Sequence, residues 1–413
     1  MTTKKLMEAY EDHILPTYDR FPIAIESGHG ATLRDFEGKE YIDFSSGLGV
    51  NSIGYGNEKW LAAIRDQAGT LQHISNLFYT APALELARRL NEATGMGGVF
   101  FGNSGAEANE GIIKLARKYS YEKYGEGRSS IVTLKGSFHG RTITTLKATG
   151  QEKFHNYFFP FTPGFRYAEA GSIESIVKAL YGENSAGMNK CAAKEGSNDT
   201  DCCAVMIELI QGEGGVIPLD KGFVSELRAL CDEMDLLLLV DEVQTGIGRT
   251  GSLFAFQQYG IIPDAVSFAK GIAGGLPMGG FMVGKALKNV LGPGTHATTF
   301  GGNPVCCAAA LAVLDTLEEK VLSQVSEKGE YIKSAINKTD SPYIGGIRGL
   351  GLMLGIQIKG ITHIELVKKL VSNGLICLTA GSDVVRFLPP LTISYEEIDR
   401  GLEVFIHTLE DVT

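Results

Sequence analysis

The stretch "LLLLVDEVQTGIGRTG", residues 236–251, admits three readings, and the choice among them decides the fold. An apolar run ending in Asp241-Glu242 fits the magnesium-holding strand of a nucleotide triphosphatase. Gly246, Gly248 and Gly251 spell G-x-G-x-x-G, the turn that binds dinucleotides. The third reading places a carboxylate at the end of a buried strand to hold the protonated ring of a different cofactor.

The chain around it has 413 residues, enough for two or three domains and a large core. It is 44% hydrophobic and 21% charged, as ordinary globular proteins are. A formal charge of −10 supplies no basic field for nucleic acid or an anionic membrane. No apolar run approaches the roughly 20 residues of a membrane span. The opening MTTKKLMEAYEDH has no apolar core and no cleavage site, which argues against secretion and for the cytoplasm. Seven cysteines form no C-x-x-C, and the adjacent pairs Cys202-Cys203 and Cys306-Cys307 suit neither a metal cage nor ordinary disulfides. Reduced thiols and no bound metal are expected.

From about residue 59 to 290, helical patterns alternate with short apolar runs: GVFFGN (98–103), SIVTLKG (130–136), CAVMIEL (203–209), LLLLVDEV (236–243) and AVSFAK (265–270). Continuous apolar strands between helices indicate an α/β fold with a parallel sheet covered on both faces. Ahead of this lies a hairpin, residues 31–35 and 40–45 around the turn Phe36-Glu-Gly-Lys39. Behind it the last hundred residues read as a smaller α+β unit. It holds one strand over 348–358, a helix from Thr362 to Asn373 stopped by Gly374, short strands at LICL and VVRFL, and a final helix opened by the capping box Ser394-x-x-Glu397. Residues 182–201, rich in Gly, Ser, Asn and Asp, read as a surface loop.

The triphosphatase reading needs G-x-x-x-x-G-K-[ST]. The nearest match, Gly279 to Lys285, continues with Ala286, which cannot hold magnesium, and it follows the acidic strand when it should precede it. The dinucleotide reading needs its first glycine at the strand end and a helix facing pyrophosphate. Here Asp241 and Glu242 stand where the diphosphate would sit, while Arg249 and Thr250 read as ordinary turn residues. One G-x-G-x-x-G among 52 glycines is expected by chance.

The third reading makes further demands. A buried Asp241 needs a cation, since its desolvation costs several kcal/mol. An arginine would do, and so would a protonated pyridine nitrogen. The pyridine adds a requirement for a lysine able to form a Schiff base, a ring-stacking aromatic and a phosphate cup. Lys270 follows an apolar run, precedes Gly271, Gly274 and Gly275, and would share a sheet edge with Asp241. A lysine between apolar walls and a second cation has a lowered pKa and is available as a nucleophile; a solvated strand-end lysine is the ordinary alternative. In FFGNSGAEANEG, Ser104-x-x-Glu107 opens a helix whose Gly105 and Ala106 amides suit phosphate, although plain capping satisfies the same residues. In GSFHGRT, Phe138 can lie on a ring and Arg141 can grip a carboxylate, against a core Phe and a surface Arg. His139 reads as structural, bonding backbone.

In order along the chain, GKEYIDFSSGLGVNSIGYG, NSGAEANE, FHGRT, IQGEGGV, DEVQTGIGRTG, FAKGIAGGLPMG, TTFGGNP, RGLGLMLG and VVRFLPPL resemble the class III aminotransferases, pyridoxal-phosphate enzymes of fold type I. The resemblance covers nearly the whole chain. It implies a large domain with a mainly parallel seven-stranded sheet over 59–310, with a smaller α+β domain built from 311–413 and helped by 1–58. It further implies that Lys270 carries the coenzyme and shuttles a proton, and that Asp241 pairs with the pyridine nitrogen. Val243 would pack under the ring opposite Phe138, and Gln244 would bond the ring hydroxyl. Gly105 and Ala106 would bind phosphate, helped by Thr299 from the second subunit of a homodimer. Thr298 would lie beside the substrate, with Arg141 on the donor's α-carboxylate and Arg386 on a carboxylate of 2-oxoglutarate. Glu213 would pair with Arg386, as a switch between the two substrates or as a static salt bridge.

Ala106 stands where the family commonly has Thr, Leu209 where Pro is usual, and GYGNEKW lacks the usual His-Pro. None of these removes a catalytic group. Gly47, where a related enzyme for free ornithine would place a substrate-facing Tyr, leaves room for an acyl group. The expected reaction is therefore transamination of N2-acetyl-L-ornithine with 2-oxoglutarate. Ornithine, succinylornithine, succinyldiaminopimelate and 4-aminobutyrate are the alternative donors, because one group in a pocket discriminates by only ~1–3 kcal/mol. A silent scaffold is the reading from another class, and intact Lys270 and Asp241 argue against it.

Overall fold

The computed structural model describes residues 2–181 and 200–411, so the expected loop over 182–201 lies almost wholly outside the described residues. Four strands follow the hairpin prediction and its sequel: β1 (Ile25–His29), β2 (Thr32–Asp35), β3 (Glu40–Asp43) and β4 (Gly98–Gly102). The antiparallel β2–β3 pair forms as expected, and β1 extends it on the other side.

Next come β5 (Ser130–Leu134), β6 (Phe165–Ala168) and β7 (Cys202–Ile207). A short ribbon, β8 (Ile210–Gln211) with β9 (Ile217–Pro218), precedes β10 (Leu237–Asp241), β11 (Ala265–Phe268) and β12 (Gly279–Val283). Seven of these form one sheet in the order β4-β12-β11-β10-β7-β5-β6. All neighbours run parallel except β12, which is antiparallel to β11 and β4. The would-be phosphate loop at Gly279 is this buried strand, so the triphosphatase reading has no loop to rest on.

Side-chain alternation explains why LLLLVD is a central strand. Leu238 and Val240 join the core on one side of the sheet, while Leu237 and Leu239 join the cluster under helix Gly105–Tyr124, with Ile112, Ile113 and Leu115. By the same two-residue period Asp241 faces that helix, just beyond the last apolar layer. Asn109 sits one turn before Ile112 and Ile113 and meets the carboxylate there. No conventional helix follows Asp241 until Phe256–Tyr259, so Gly246, Gly248 and Gly251 make turns and no dinucleotide fingerprint.

The C-terminal region holds β13 (Ile344–Leu350), β14 (Met353–Ile358), β15 (Leu375–Ile376), β16 (Leu378–Ala380) and β17 (Val384–Phe387). The single strand expected over 348–358 is in fact an antiparallel hairpin. Its turn uses Gly351 at φ +55° beside fully buried Leu352, so the apolar run continues through the reversal and hides it. Four strands make an antiparallel sheet, β13-β14-β17-β16, while β15 lies parallel to β3 and ties the N-terminal hairpin to this region. Helix His363–Asn373 starts at Thr362 and ends at left-handed Gly374, and the Ser394–Glu397 capping box opens helix Tyr395–Glu410.

Arg249 departs from the turn-residue reading. It is 2% exposed, and its guanidinium donates to the carbonyls of Leu352 and Pro389. Six cysteines among the described residues are free thiols, five of them buried. No group of His, Cys, Asp or Glu among the described residues could hold a metal, and no described helix is long and apolar enough to cross a membrane.

Candidate active site

Crossovers in a parallel sheet deliver loops to the carboxyl ends of the strands, and here those ends surround a cleft of about 390 Å³. Gly105, Ala106, Phe138, Arg141, Glu213, Asp241, Val243, Gln244 and Lys270 all line it, from five separate loops or strand ends. Arg386 reaches its edge from β17.

Asp241 is 4% exposed and fully engaged. Its Oδ2 accepts from Asn109 Nδ2 at 2.7 Å and pairs with His139 Nδ1 at 2.8 Å. Its Oδ1 accepts from the Val243 amide at 3.0 Å. No arginine engages it, so the ordinary counter-ion for a buried aspartate is absent among the described residues. His139, expected to bond backbone, instead places its ring against this carboxylate.

Lys270 follows β11, whose Ser267 is the cross-strand neighbour of Asp241. It adopts φ +43°, a strained left-handed conformation for a side-chain-bearing residue. The next residue is anchored, because Gly271 accepts from Ser52 Oγ at 2.7 Å. Burial pushes the Lys270 amine down from its ordinary value, and nearby Arg386 adds to this, while Glu213, Asp241 and Glu208 oppose it. A lowered lysine pKa is the condition for a nucleophilic neutral amine.

The helix opening is built as a cup. Ser104 Oγ accepts from the Glu107 amide, but Glu107 turns back to the Asn103 amide, one residue earlier than in a true capping box. That leaves the Gly105 and Ala106 amides at the first turn. A Cβ on Gly105 would stand 2.7 Å from Val243 Cγ1, so only glycine lets the helix end approach the floor residue. The Phe138 amide donates to Glu208 Oε2 at 2.9 Å, fixing the loop that carries the aromatic ring.

Glu213 sits between β8 and β9, where the ribbon turns it toward β17. Its Oε1 lies 2.7 Å from Arg386 Nη1, which also donates to Gln244 Oε1 at 3.1 Å. Burial acts upward on the Glu213 carboxyl, yet the Arg386 charge and hydrogen bond hold it below the usual carboxylate range. Thr298 and Thr299 do not line the cleft of the single chain. Thr298 Oγ1 accepts from Asn103 Nδ2 at 3.3 Å near the mouth, and Thr299 is exposed.

Three residues escaped the sequence reading: Asn109, Glu208 and the true role of His139. An asparagine in the apolar register of a helix was the signal for the first. For Glu208, it was a carboxylate directly after a fully apolar strand. Burial pushes the Glu208 carboxyl upward, and the Asp241 charge adds to this while His139 opposes it.

The arrangement fits a phosphorylated pyridine aldehyde: a cup that a Cβ would close, a carboxylate with no arginine partner among the described residues, and a buried amine. The fold and the site thus define a transaminase-type enzyme. The aminotransferase class-III family model matches residues 14–409, and the chain belongs to that family. An acetylornithine aminotransferase of Haemophilus ducreyi is 44% identical over 413 residues, covering 100% of both chains. One of Caldanaerobacter subterraneus is 43% identical over 98% of this chain and 100% of its own. Among solved structures, an ornithine aminotransferase of Toxoplasma gondii, with partial occupancy of PLP at its active site, is 30% identical with a TM-score of 0.91. It covers 100% of this chain and 95% of its own.

Proposed function

We propose that this chain transfers the δ-amino group of N2-acetyl-L-ornithine to 2-oxoglutarate with pyridoxal 5'-phosphate, giving N-acetyl-L-glutamate 5-semialdehyde and L-glutamate. The observation that carries the reading is a buried Lys270 amine and, at the same sheet edge, an Asp241 carboxylate without an arginine partner among the described residues, in a chain 44% identical to an acetylornithine aminotransferase over its full length.

When bound, pyridoxal phosphate supplies an electron-withdrawing ring that stabilises the charge left when the donor's δ-carbon loses its proton. Asp241 keeps the ring nitrogen protonated, with its own oxygens fixed by Asn109, His139 and the Val243 amide. Phe138 and Val243 hold the ring between them, Gln244 bonds its hydroxyl, and the Gly105 and Ala106 amides hold its phosphate. Lys270 Nζ anchors the coenzyme and afterwards carries the proton from the δ-carbon. Arg141 holds the donor's α-carboxylate beside Thr298, and Arg386, released from Glu213, takes a carboxylate of 2-oxoglutarate.

The working unit is a homodimer in the cytoplasm, with Thr299 completing the phosphate site of a second copy. Exposed Leu77, Phe78, Tyr79 and Phe300 support this: four large apolar side chains left open to water suit a contact surface. It adjoins the threonines, since Asn76 donates to the Thr298 and Gly301 carbonyls. The domains divide at 1–58, 59–310 and 311–413, and the β3–β15 pairing supports grouping the first with the third.

Acetylated over free ornithine is favoured by Gly47, which is exposed at φ +61° three residues before cleft-lining Val50. Glutamate release from 2-oxoglutarate, measured with each donor in turn, tests the reading. Acetylornithine should give the highest kcat/KM, and Lys270→Ala should abolish turnover. Preference for unacylated ornithine would overturn the donor assignment.

A further inference from the structure

We propose that Phe154 is a positioning residue for donor binding, an aromatic platform that holds the Arg141 guanidinium where it meets the donor's carboxylate. The proposal rests on the role given to Arg141 above. Arg141 is exposed and has no carboxylate partner among the described residues, so nothing ionic fixes it. Its guanidinium carbon lies 4.2 Å from the centroid of the Phe154 ring and 5.3 Å from that of Phe138. The two rings meet edge to face, with centroids 5.8 Å apart at 76°. A cation over an aromatic face is attracted by the ring quadrupole, so a mobile side chain is restrained without spending its hydrogen-bond donors. All five donors remain for a carboxylate.

The platform is itself pinned. Phe154 closes a single 3-10 turn, Glu152–Phe154. Before it, Gln151 Nε2 donates to the Ser137 carbonyl at 3.0 Å; after it, His155 Nε2 lies 2.8 Å from the Thr149 carbonyl. The turn is thereby tied to the same loop that carries Phe138. Lys153 Nζ lies 4.9 Å from the Phe154 centroid, so the ring gathers a second cation at the mouth. An acidic residue at 154 would pair with Arg141 and block it, whereas an aromatic ring orders the cation and leaves its charge free.

The test compares N2-acetylornithine with N-acetylputrescine, the same amine donor without its carboxylate, on the holoenzyme. Phe154→Leu should lower kcat/KM for acetylornithine about five- to tenfold and for N-acetylputrescine less than twofold. Phe154→Tyr, which keeps the ring, should restore acetylornithine to within about twofold of wild type. Equal losses with both donors, or a Tyr variant as impaired as the Leu variant, would overturn the proposal. Wild-type turnover of acetylornithine separately decides the reaction. Should ornithine prove to be the donor, the same ratio is read with ornithine against putrescine.

Discussion

His139 Nδ1 lies 2.8 Å from Asp241 Oδ2, with both side chains buried beneath the floor of the cleft. A carboxylate held this firmly cannot rotate away from a charged ring nitrogen. Asp241→Asn keeps the shape and removes the charge. It should lower kcat by about 10²-fold or more, the scale of losing one preorganised electrostatic partner. Steady-state rates with saturating coenzyme check this, and a loss below about fivefold would remove Asp241 from the mechanism.

Gly105→Ala should cut coenzyme affinity by about tenfold, because its Cβ would stand 2.7 Å from Val243 Cγ1 and one of the two must move. Equilibrium titration followed at the coenzyme's visible band gives the constant. Unchanged affinity would mean that the helix end does not hold the phosphate.

Glu208 makes a pH prediction. Burial raises its folded-state pKa above the ordinary 4.5, so the folded chain binds more protons than the unfolded one as pH climbs past that value. Its contribution to stability is present below pH 4.5 and is lost progressively toward the raised value. Glu208→Gln should therefore flatten the fall in urea midpoint from pH 4.5 upward relative to wild type. Parallel curves would show that the carboxyl does not change charge in this range.

Glu213→Ala removes the partner of Arg386. Kinetics with the amine donor should change more than kinetics with 2-oxoglutarate, since the donor half-reaction uses the closed pair and the acceptor half-reaction needs the arginine free. Equal effects on both half-reactions would reduce the pair to a static salt bridge.

Asp241, Lys270 and Phe138 were legible in the sequence because each follows a short apolar run at a strand end, where position alone fixes direction. Partners were not legible. Asn109 and His139 reach Asp241 from chain segments 132 and 102 residues away, a proximity set by sheet order, which no local pattern encodes. Two strands of the large sheet were also hidden. FRYA in β6 is half polar, and β12 opens with two glycines that read as loop. Those glycines serve packing: a Cβ on Gly280 would stand 2.4 Å from the Phe100 carbonyl oxygen.

Arg249 sets a limit on how this enzyme can move. Its guanidinium, sealed from water, donates to uncharged oxygens among the described residues, two of them carbonyls beyond residue 350. Any displacement of the C-terminal region as a rigid body has to break both of those carbonyl bonds at once. The chain beyond residue 350 is thus stapled to the turn that carries Asp241, so the smaller region and the floor of the cleft share one joint.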